Sequence, residues 1–345
     1  MSSILAPLAL TASTGALLAL PLAPALRELK SKRDAVPLDT RKDDGRIANF
    51  AASLRSHCNK LQVLLFPNGY PEENSLLPAG ESRVFVVVRQ FPIPSHIHDF
   101  VLCLNPIQLP DEFHSTGDFY SFNSVETGQG NIFCALMSES DLQLGIYSKI
   151  LRWTHAESAL AASENCAIFG RASANRSITL SNGCTFERIH APVIYTTSDA
   201  SHLPLRSESD VFSKLARSGI GRMRVHGSAH LSAGQQHRGD LVSTRGLQMD
   251  EGSSVLGSVK ANGEVHLEES STVDGSLVST KTIHIGSGSF VKGPVISEHE
   301  IRIGTSVQIG IPGTATAVSA PKIYLAPGSA LHGTVWARVE GRVGV

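Results

Sequence analysis

The chain lacks an excess of charge of either sign. Its 345 residues contain 30 Lys and Arg and 31 Asp and Glu, a net charge of −1 at pH 7. A nucleic-acid binder needs a basic surface to neutralise phosphates, so we expect no nucleic-acid partner. Aromatic residues contribute only 6% and charged residues 18%, whereas 30 residues are glycine. We therefore expect a core built from small and β-branched side chains.

Cysteine is also scarce, and its number and spacing argue against a disulfide-stabilised protein and against a cysteine-ligated metal site. Five cysteines, an odd number without metal-ligand spacing, do not form a disulfide framework and indicate a reducing compartment. No nucleophile elbow, phosphate-binding loop or pair of catalytic carboxylates is evident. We therefore expect no enzymatic activity and no cofactor. The cysteines are Cys58, Cys103, Cys134, Cys166 and Cys184.

Residues 4–26 form a run of 23 residues without a charge. As a helix this run would extend about 34 Å, enough to cross a bilayer. Basic residues follow it at once and none precedes it, which predicts a transmembrane anchor over residues 1–26 with the following chain at the cytoplasmic face of the inner membrane. The alternative is a signal peptide cleaved at Ala23–Ala25, followed by export. Residues 27–44 are dense in charge and predict a juxtamembrane linker.

Residues 45–120 predict one helix and little further regular structure. Apolar residues recur at helical spacing from Ile47 to Leu65, which predicts a short amphipathic helix. Residues 83–89, RVFVVVR, predict a buried strand. Prolines recur between 66 and 110, so we expect the rest of this region to be an irregular β region.

The informative feature is an 18-residue repeat. Pieces that begin at Leu247, Val265, Ile283 and Ile301 align without gaps. Positions one, three and nine of these pieces are apolar. In the three pieces over residues 247–300, position thirteen is also apolar, position eleven is glycine and position fifteen is small. Weaker copies of the frame extend upstream to about residue 124, and a copy at 323–340 follows a four-residue slip. The frame is interrupted at about 196–224, where residues 210–217 predict one surface helix.

The repeat predicts an all-β solenoid. Eighteen residues also equal five helical turns, but the apolar residues pair at i and i+2, as they do in strands. The glycine, valine and serine that these units share also disfavour a helix. One unit offers three short strands that cannot bury their inward side chains alone, whereas stacked units can. We therefore expect a three-sided parallel β-helix of about ten coils over residues 121–345, with an insertion at 196–224.

These repeats resemble the bactofilin family of polymer-forming bacterial cytoskeletal proteins. The matching features are the apolar-x-apolar-Gly openings, the x-Gly-x-Val segments and the slipped coil before IYLAPGSALHGTVWA. The resemblance covers roughly residues 227–340 and extends more weakly from about 124. It implies a right-handed β-helix that assembles end to end without a nucleotide and scaffolds envelope enzymes at the membrane. The long N-terminal part and the insertion depart from the family pattern.

The sequence also permits two other interpretations, an acyltransferase and a metal-binding protein. Hexapeptide-repeat acyltransferases also have 18-residue coils and use a histidine as general base, and His202 in the insertion is a candidate for that role. His96 and His98 form an HxH pair that would place two imidazoles on one strand face, a weak candidate for a metal site. His230, His266 and His284 share position two, which predicts an outward ladder.

The last coil is the predicted surface for self-assembly. An end coil needs a polar cap to remain monomeric, and only five residues follow the last one in this sequence. Its unpaired strand edges and apolar side chains would form a template for another copy. Large aromatics concentrate interface energy, which makes the tryptophan of this coil the preferred anchor. The predicted oligomerisation residues are Ile323, Leu325, Leu331, Val335 and Trp336.

Overall fold

The computed structural model describes residues 13–15, 49–67, 69–80, 82–90, 92–196 and 221–344. All elements named below belong to one compact unit, Ile47–Val345. The predicted anchor and linker lie outside the described residues, except for 13–15. No helix in the described part of the chain is long and apolar enough to span a membrane.

One amphipathic helix, α1 (Asn49–Leu65), precedes the β-structure and confirms the predicted helix. Its buried side chains are Ala51, Leu54, Cys58 and Leu61, spaced three or four residues apart. They pack on the outward-facing side chains of one face of the β-structure. Those side chains are Val84, Val86, Leu102, Tyr120, Ala135, Met137 and Trp153.

The rest of the described chain is a β-solenoid of about 13 turns. It divides into a first half before residue 197 and a second half after residue 220. The strands of the first half are β1 (Ser75–Ala79), β2 (Ser82–Val87), β3 (His96–Ile97), β4 (Phe100–Cys103), β5 (Ile107–Leu109), β6 (His114–Ser121), β7 (Val125–Thr127), β8 (Ile132–Ser138), β9 (Leu142–Leu144), β10 (Lys149–Ala156), β11 (Ala159–Ala162), β12 (Ala167–Ala174), β13 (Ser177–Leu180) and β14 (Thr185–Tyr195).

The second half follows the 18-residue frame more regularly. Its strands are β15 (Arg222–Val225), β16 (Ala229–Leu231), β17 (Gln236–Arg238), β18 (Asp240–Ser243), β19 (Leu247–Met249), β20 (Ser254–Leu256), β21 (Val259–Ala261), β22 (Val265–Leu267), β23 (Thr272–Val273), β24 (Leu277–Ser279), β25 (Ile283–Ile285), β26 (Phe290–Val291), β27 (Val295–Ser297), β28 (Glu300–Ile303), β29 (Gln308–Ile309), β30 (Thr316–Leu325) and β31 (Ala330–Val343).

Each regular turn contributes three strands, and each strand pairs in parallel with the strand three further along the chain. The register confirms the repeat: Val273 lies opposite Val291 in the next turn, and both side chains are fully buried. Position fifteen holds a buried serine at 243, 279 and 297 and an alanine at 261, and the serine hydroxyls donate to backbone carbonyls; Ser279 Oγ, for example, donates to Gly263 O at 2.6 Å. The inward-facing side chains of these turns are therefore apolar, except where a small hydroxyl donates a hydrogen bond to a backbone carbonyl.

The solenoid begins earlier than the predicted residue 121. His96 pairs with His114, Val101 with Phe119, and Ile107 with Val125, all at the same 18-residue separation. The prolines that predicted irregular structure lie between these strands, at Pro94, Pro106 and Pro110. Because a turn of three short strands has three bends, proline there does not remove a ladder hydrogen bond. The number of turns accordingly exceeds the predicted ten.

The two halves meet at a junction formed by the last strands of each. β14 pairs with β31 in antiparallel orientation, whereas every other pairing between successive turns is parallel in the part of the chain described, apart from the β1–β2 hairpin. The first half ends at this junction with β14. The second half begins with β15, in its turn farthest from the junction, and its last strand, β31, lies at the junction. Residues 197–220 connect the two; the predicted helix at 210–217 and His202 lie there, outside the described residues.

Candidate functional site: the ends and the junction of the solenoid

The predicted assembly surface, the last coil, is not an open edge. β31 carries Leu331 and Val335 opposite Ile194 and Ile189 of β14. Both side chains of β31 are about 1% exposed. Ile323 and Leu325 also lie fully in the core. The expectation of an unpaired last coil is therefore wrong within this chain, because the first half covers it.

Trp336 is the exception among the predicted residues, since its side chain points outward. It is 44% exposed. It lies opposite Arg188 across the junction, and the Arg188 guanidinium lies 5.2 Å from the centre of its ring. Its contribution to contacts between copies stays a prediction.

The junction is held by side chains as well as by the strand ladder. Thr196 Oγ1 donates to Ala326 O at 2.7 Å. His190 Nδ1 and Thr334 Oγ1 share a hydrogen bond of 2.9 Å, and His332 Nδ1 donates to Pro192 O at 2.9 Å. Burial lowers the pKa of both His190 and His332, which favours the neutral form of both imidazoles.

The open edges lie instead at the start of the second half. We call residues 221–238 the open coil. Its three strands, β15, β16 and β17, each pair with one neighbour only, counting pairings between described residues. The inward-facing Met223 is 51% exposed, whereas Leu231 is nearly buried. Among the described residues, one row of backbone groups per strand and the end of the apolar core therefore have no pairing partner.

The charge of the open coil is of one sign. Residues 221–238 contain three arginines, three histidines and no acidic residue. Arg222 lies 3.9 Å from Asp240 of the following turn. The chain at the start of the first half, residues 71–112, spans more than two turns and has the opposite balance, with six acidic residues and two arginines. The difference in charge between the two segments can be counted from the sequence. Its relevance to assembly depends on the structure, which places the two segments at the starts of the two halves of the solenoid.

The histidine candidates occupy outward positions. His96 stacks edge-on to His114 in the next turn, with 4.7 Å between ring centres, and His98 Nδ1 bonds to Thr116 Oγ1 at 2.8 Å. The structure does not assemble three or more His, Cys, Asp or Glu side chains into a metal-binding group within the described ranges. The predicted outward ladder is formed in part: His266 and His284 stack with 4.6 Å between ring centres.

A charged cluster beneath α1 was not foreseen from the sequence. Arg55 Nε donates to Glu139 at 2.7 Å, and its Nη2 contacts both Glu139 and Glu157. Tyr120 donates to the same Glu139, and His155 Nε2 lies 3.3 Å from Glu157. The hydrogen bond with Glu139 raises the pKa of Arg55, and burial lowers the pKa of His155. The cluster fastens the helix to the solenoid. Glu139 and Glu157 lie 84 and 102 residues after Arg55 in the sequence, so no local sequence pattern predicts the cluster.

Comparison with known proteins adds no relative from which a function can be read. No family model matches the chain, and no curated protein or solved structure is significantly similar to it. The resemblance to bactofilins therefore stays a prediction.

Proposed function

We propose that this protein is a self-assembling, membrane-associated scaffold whose copies join through the ends of their solenoids. The observation that carries the proposal is the open coil, with three strand edges that lack a partner among the described residues. Exposed parallel edges are templates for pairing with another chain. The bactofilin-like repeat supports the same function, together with a role in positioning envelope or cell-wall proteins.

The junction supports this mode of contact because it is a solenoid end paired with another solenoid end. β14 and β31 join through an antiparallel ladder that spans Thr185 to Tyr195. Side chains of both ends continue one buried core across the junction, among them Ile189 and Val335. A second copy placed on the open coil would satisfy the remaining strand edges in the same way.

Charge favours an alternating order of ends. Two open coils placed together would bring six arginines into one interface without an acidic residue. Placing the basic open coil against the acidic start of the first half of the next copy, residues 71–112, brings opposite charges together. A contact between two different ends does not close on itself, so it produces an open polymer. Assembly of this kind weakens as salt screens the two ends.

Attachment to a membrane is the second component of the proposal. The uncharged run 4–26 and the basic residues that follow it support an anchor at the cytoplasmic face of the inner membrane. The polymer would then lie along the membrane, with one anchor per copy.

The proposal is tested with Met223→Lys in the full-length chain. A lysine at this exposed inward position leaves the buried turns intact but places a charge in the proposed contact. We expect light scattering and negative-stain microscopy to show polymers for the wild type and mainly single molecules for the variant.

The matched control is Ile296→Lys, an apolar residue that is 39% exposed on the outer face of a middle turn. The control should polymerise like the wild type. Unchanged polymers of Met223→Lys would contradict assembly through the open coil, and loss of polymers in Ile296→Lys alone would indicate lateral contacts instead.

A further inference from the structure

Two arginines of successive turns lie side by side at the junction without an acidic partner. Arg171 in β12 is in register with Arg188 in β14, so their Cα atoms are about 4.8 Å apart. Both side chains are half-buried on the outer face of the solenoid. Neither forms an ion pair with a carboxylate in the part of the chain that the structure describes.

Aromatic rings fix the planes of both guanidinium groups. The Arg171 guanidinium lies 4.8 Å from the centre of the Phe50 ring, which itself stacks on Trp153. The Arg188 guanidinium lies 5.2 Å from the centre of the Trp336 ring. The pair is therefore flanked by rings at both ends, and the rings exclude water from one face of each charge.

Arg188 is electrostatically unsatisfied in this position. Burial and the neighbouring charge of Arg171 lower its pKa. Its Nε is buried and has no hydrogen-bond acceptor among the residues that the structure describes. A buried donor without an acceptor and a like charge one turn away both destabilise this arrangement, and an anion beside the two guanidinium groups would offset the like-charge repulsion.

The geometry fits a phosphate group better than a carboxylate. A carboxylate has two oxygens and is saturated by one guanidinium fork. A phosphate monoester has three terminal oxygens and close to two charges, so it can accept hydrogen bonds from two adjacent forks. Trp336 keeps 44% of its surface exposed beside the pair and offers an apolar contact for the organic part of an ester.

We propose that Arg171 and Arg188 form a binding site for a phosphate group, held between Phe50 and Trp336 at the junction of the two halves. The site is separate from the proposed assembly surface. A bound phosphate neutralises the repulsion at β14, the strand that joins the halves, and thereby stabilises the folded chain by mass action.

The first experiment measures the Tm of the full-length chain in inorganic phosphate and in sodium chloride of the same ionic strength. The wild type should gain Tm in phosphate only. The double variant Arg171→Gln/Arg188→Gln should show no gain, and in chloride its Tm should equal or exceed that of the wild type because the repulsion is removed. A gain of equal size in the double variant would overturn the proposal.

The control is Arg176→Gln, since Arg176 is exposed and already lies 3.4 Å from Asp141. It should respond to phosphate like the wild type. Titration calorimetry with inorganic phosphate should show binding that is about tenfold weaker, or lost, in Arg188→Gln.

The source of the phosphate is resolved by two further arms. One measures binding of soluble glycerol phosphate, and the other measures retention on phosphatidylcholine vesicles with and without phosphatidic acid. Arginine-dependent binding in the first arm assigns a soluble ester, and in the second a lipid headgroup. Absence of binding in both arms, or binding of polyglutamate in their place, would overturn the phosphate assignment.

Discussion

At the scale of single residues, equivalent positions in successive turns of the solenoid have the same surroundings. The 18-residue repeat therefore allowed the burial of these positions to be predicted from the sequence. Position nine illustrates this, because Val255, Val273, Val291 and Ile309 all lie fully in the core. Each of them packs on its equivalent one turn away, so a single side chain contributes to two interfaces between turns. A charge introduced into this column has no polar group to pair with.

Val291→Asp should therefore destabilise the second half strongly. Burial of an unpaired carboxylate at a fully buried position is expected to lower the free energy of unfolding by about 3–5 kcal/mol. Thermal and urea unfolding measure the effect. The matched control, Ile296→Asp, lies five residues away on the outer face and should change stability by less than about 1 kcal/mol. Equal Tm values for Val291→Asp and the wild type would contradict the register described above.

The buried histidines of the junction make stability depend on pH. Burial lowers the pKa of His190 and His332 in the folded chain below the ordinary value of about 6.5. Above that value both states are neutral and stability is complete. As pH falls below it, the unfolded chain binds protons that the folded chain does not, so stability is lost.

We expect the Tm to fall between pH 7.5 and pH 5.5, and His332→Asn to reduce that fall. Asparagine retains an N–H donor for Pro192 O but does not titrate. Differential scanning fluorimetry at both pH values compares the two chains, and the difference between pH values is the quantity of interest, since the smaller side chain also lowers the Tm at every pH. An equal fall in both chains would exclude His332 as a source of the pH dependence.

At the scale of elements, the helix α1 and the solenoid illustrate what can and cannot be predicted from the sequence. The helix follows from its own apolar spacing, and the strands follow from an 18-residue period that survives many repeats. The first turns were missed because Pro94 and Pro106 resemble irregular chain until their place at the bends is known. The junction and the Arg55 cluster join residues far apart in sequence, so neither has a periodic signal.

The Arg55 cluster predicts that the helix can be loosened without unfolding the solenoid. Arg55→Met keeps the length of the side chain but leaves Glu139 and Glu157 without their cation. Loss of these partly exposed, charge-assisted hydrogen bonds should weaken helix docking by about 1–3 kcal/mol. Limited proteolysis should cleave within 49–65 faster, while the solenoid fragment persists.

Lys60→Met is the control for that comparison, because Lys60 is exposed on the same helix. Its cleavage rate should match the wild type. Equal protection of Arg55→Met would show that the apolar contacts of Leu54, Cys58 and Leu61 suffice to hold the helix.

At the scale of the whole molecule, the proposed membrane attachment depends on the uncharged run 4–26. Under the proposed attachment, deletion of residues 1–26 should transfer the protein from the membrane fraction to the soluble fraction, since it removes the uncharged run 4–26. Fractionation and immunoblotting measure the distribution. Mass spectrometry of the protein expressed from the full-length sequence determines its first residue. A soluble chain that begins after Ala25 would contradict an anchor and support a cleaved signal peptide.

The antiparallel junction also has a consequence for the order of folding. Within each half, contacts join residues about 18 positions apart, such as Val273 and Val291. Across the junction they join residues 144 positions apart, as between His190 and Thr334. Closing so large a loop is entropically expensive and slow, so both halves should assemble before they meet. A refolding chain would then pass through an intermediate with two complete solenoids and an uncovered last coil. Such an intermediate could exchange its second half with that of a neighbouring chain, which makes domain swapping through the junction the characteristic misfolding route of this architecture.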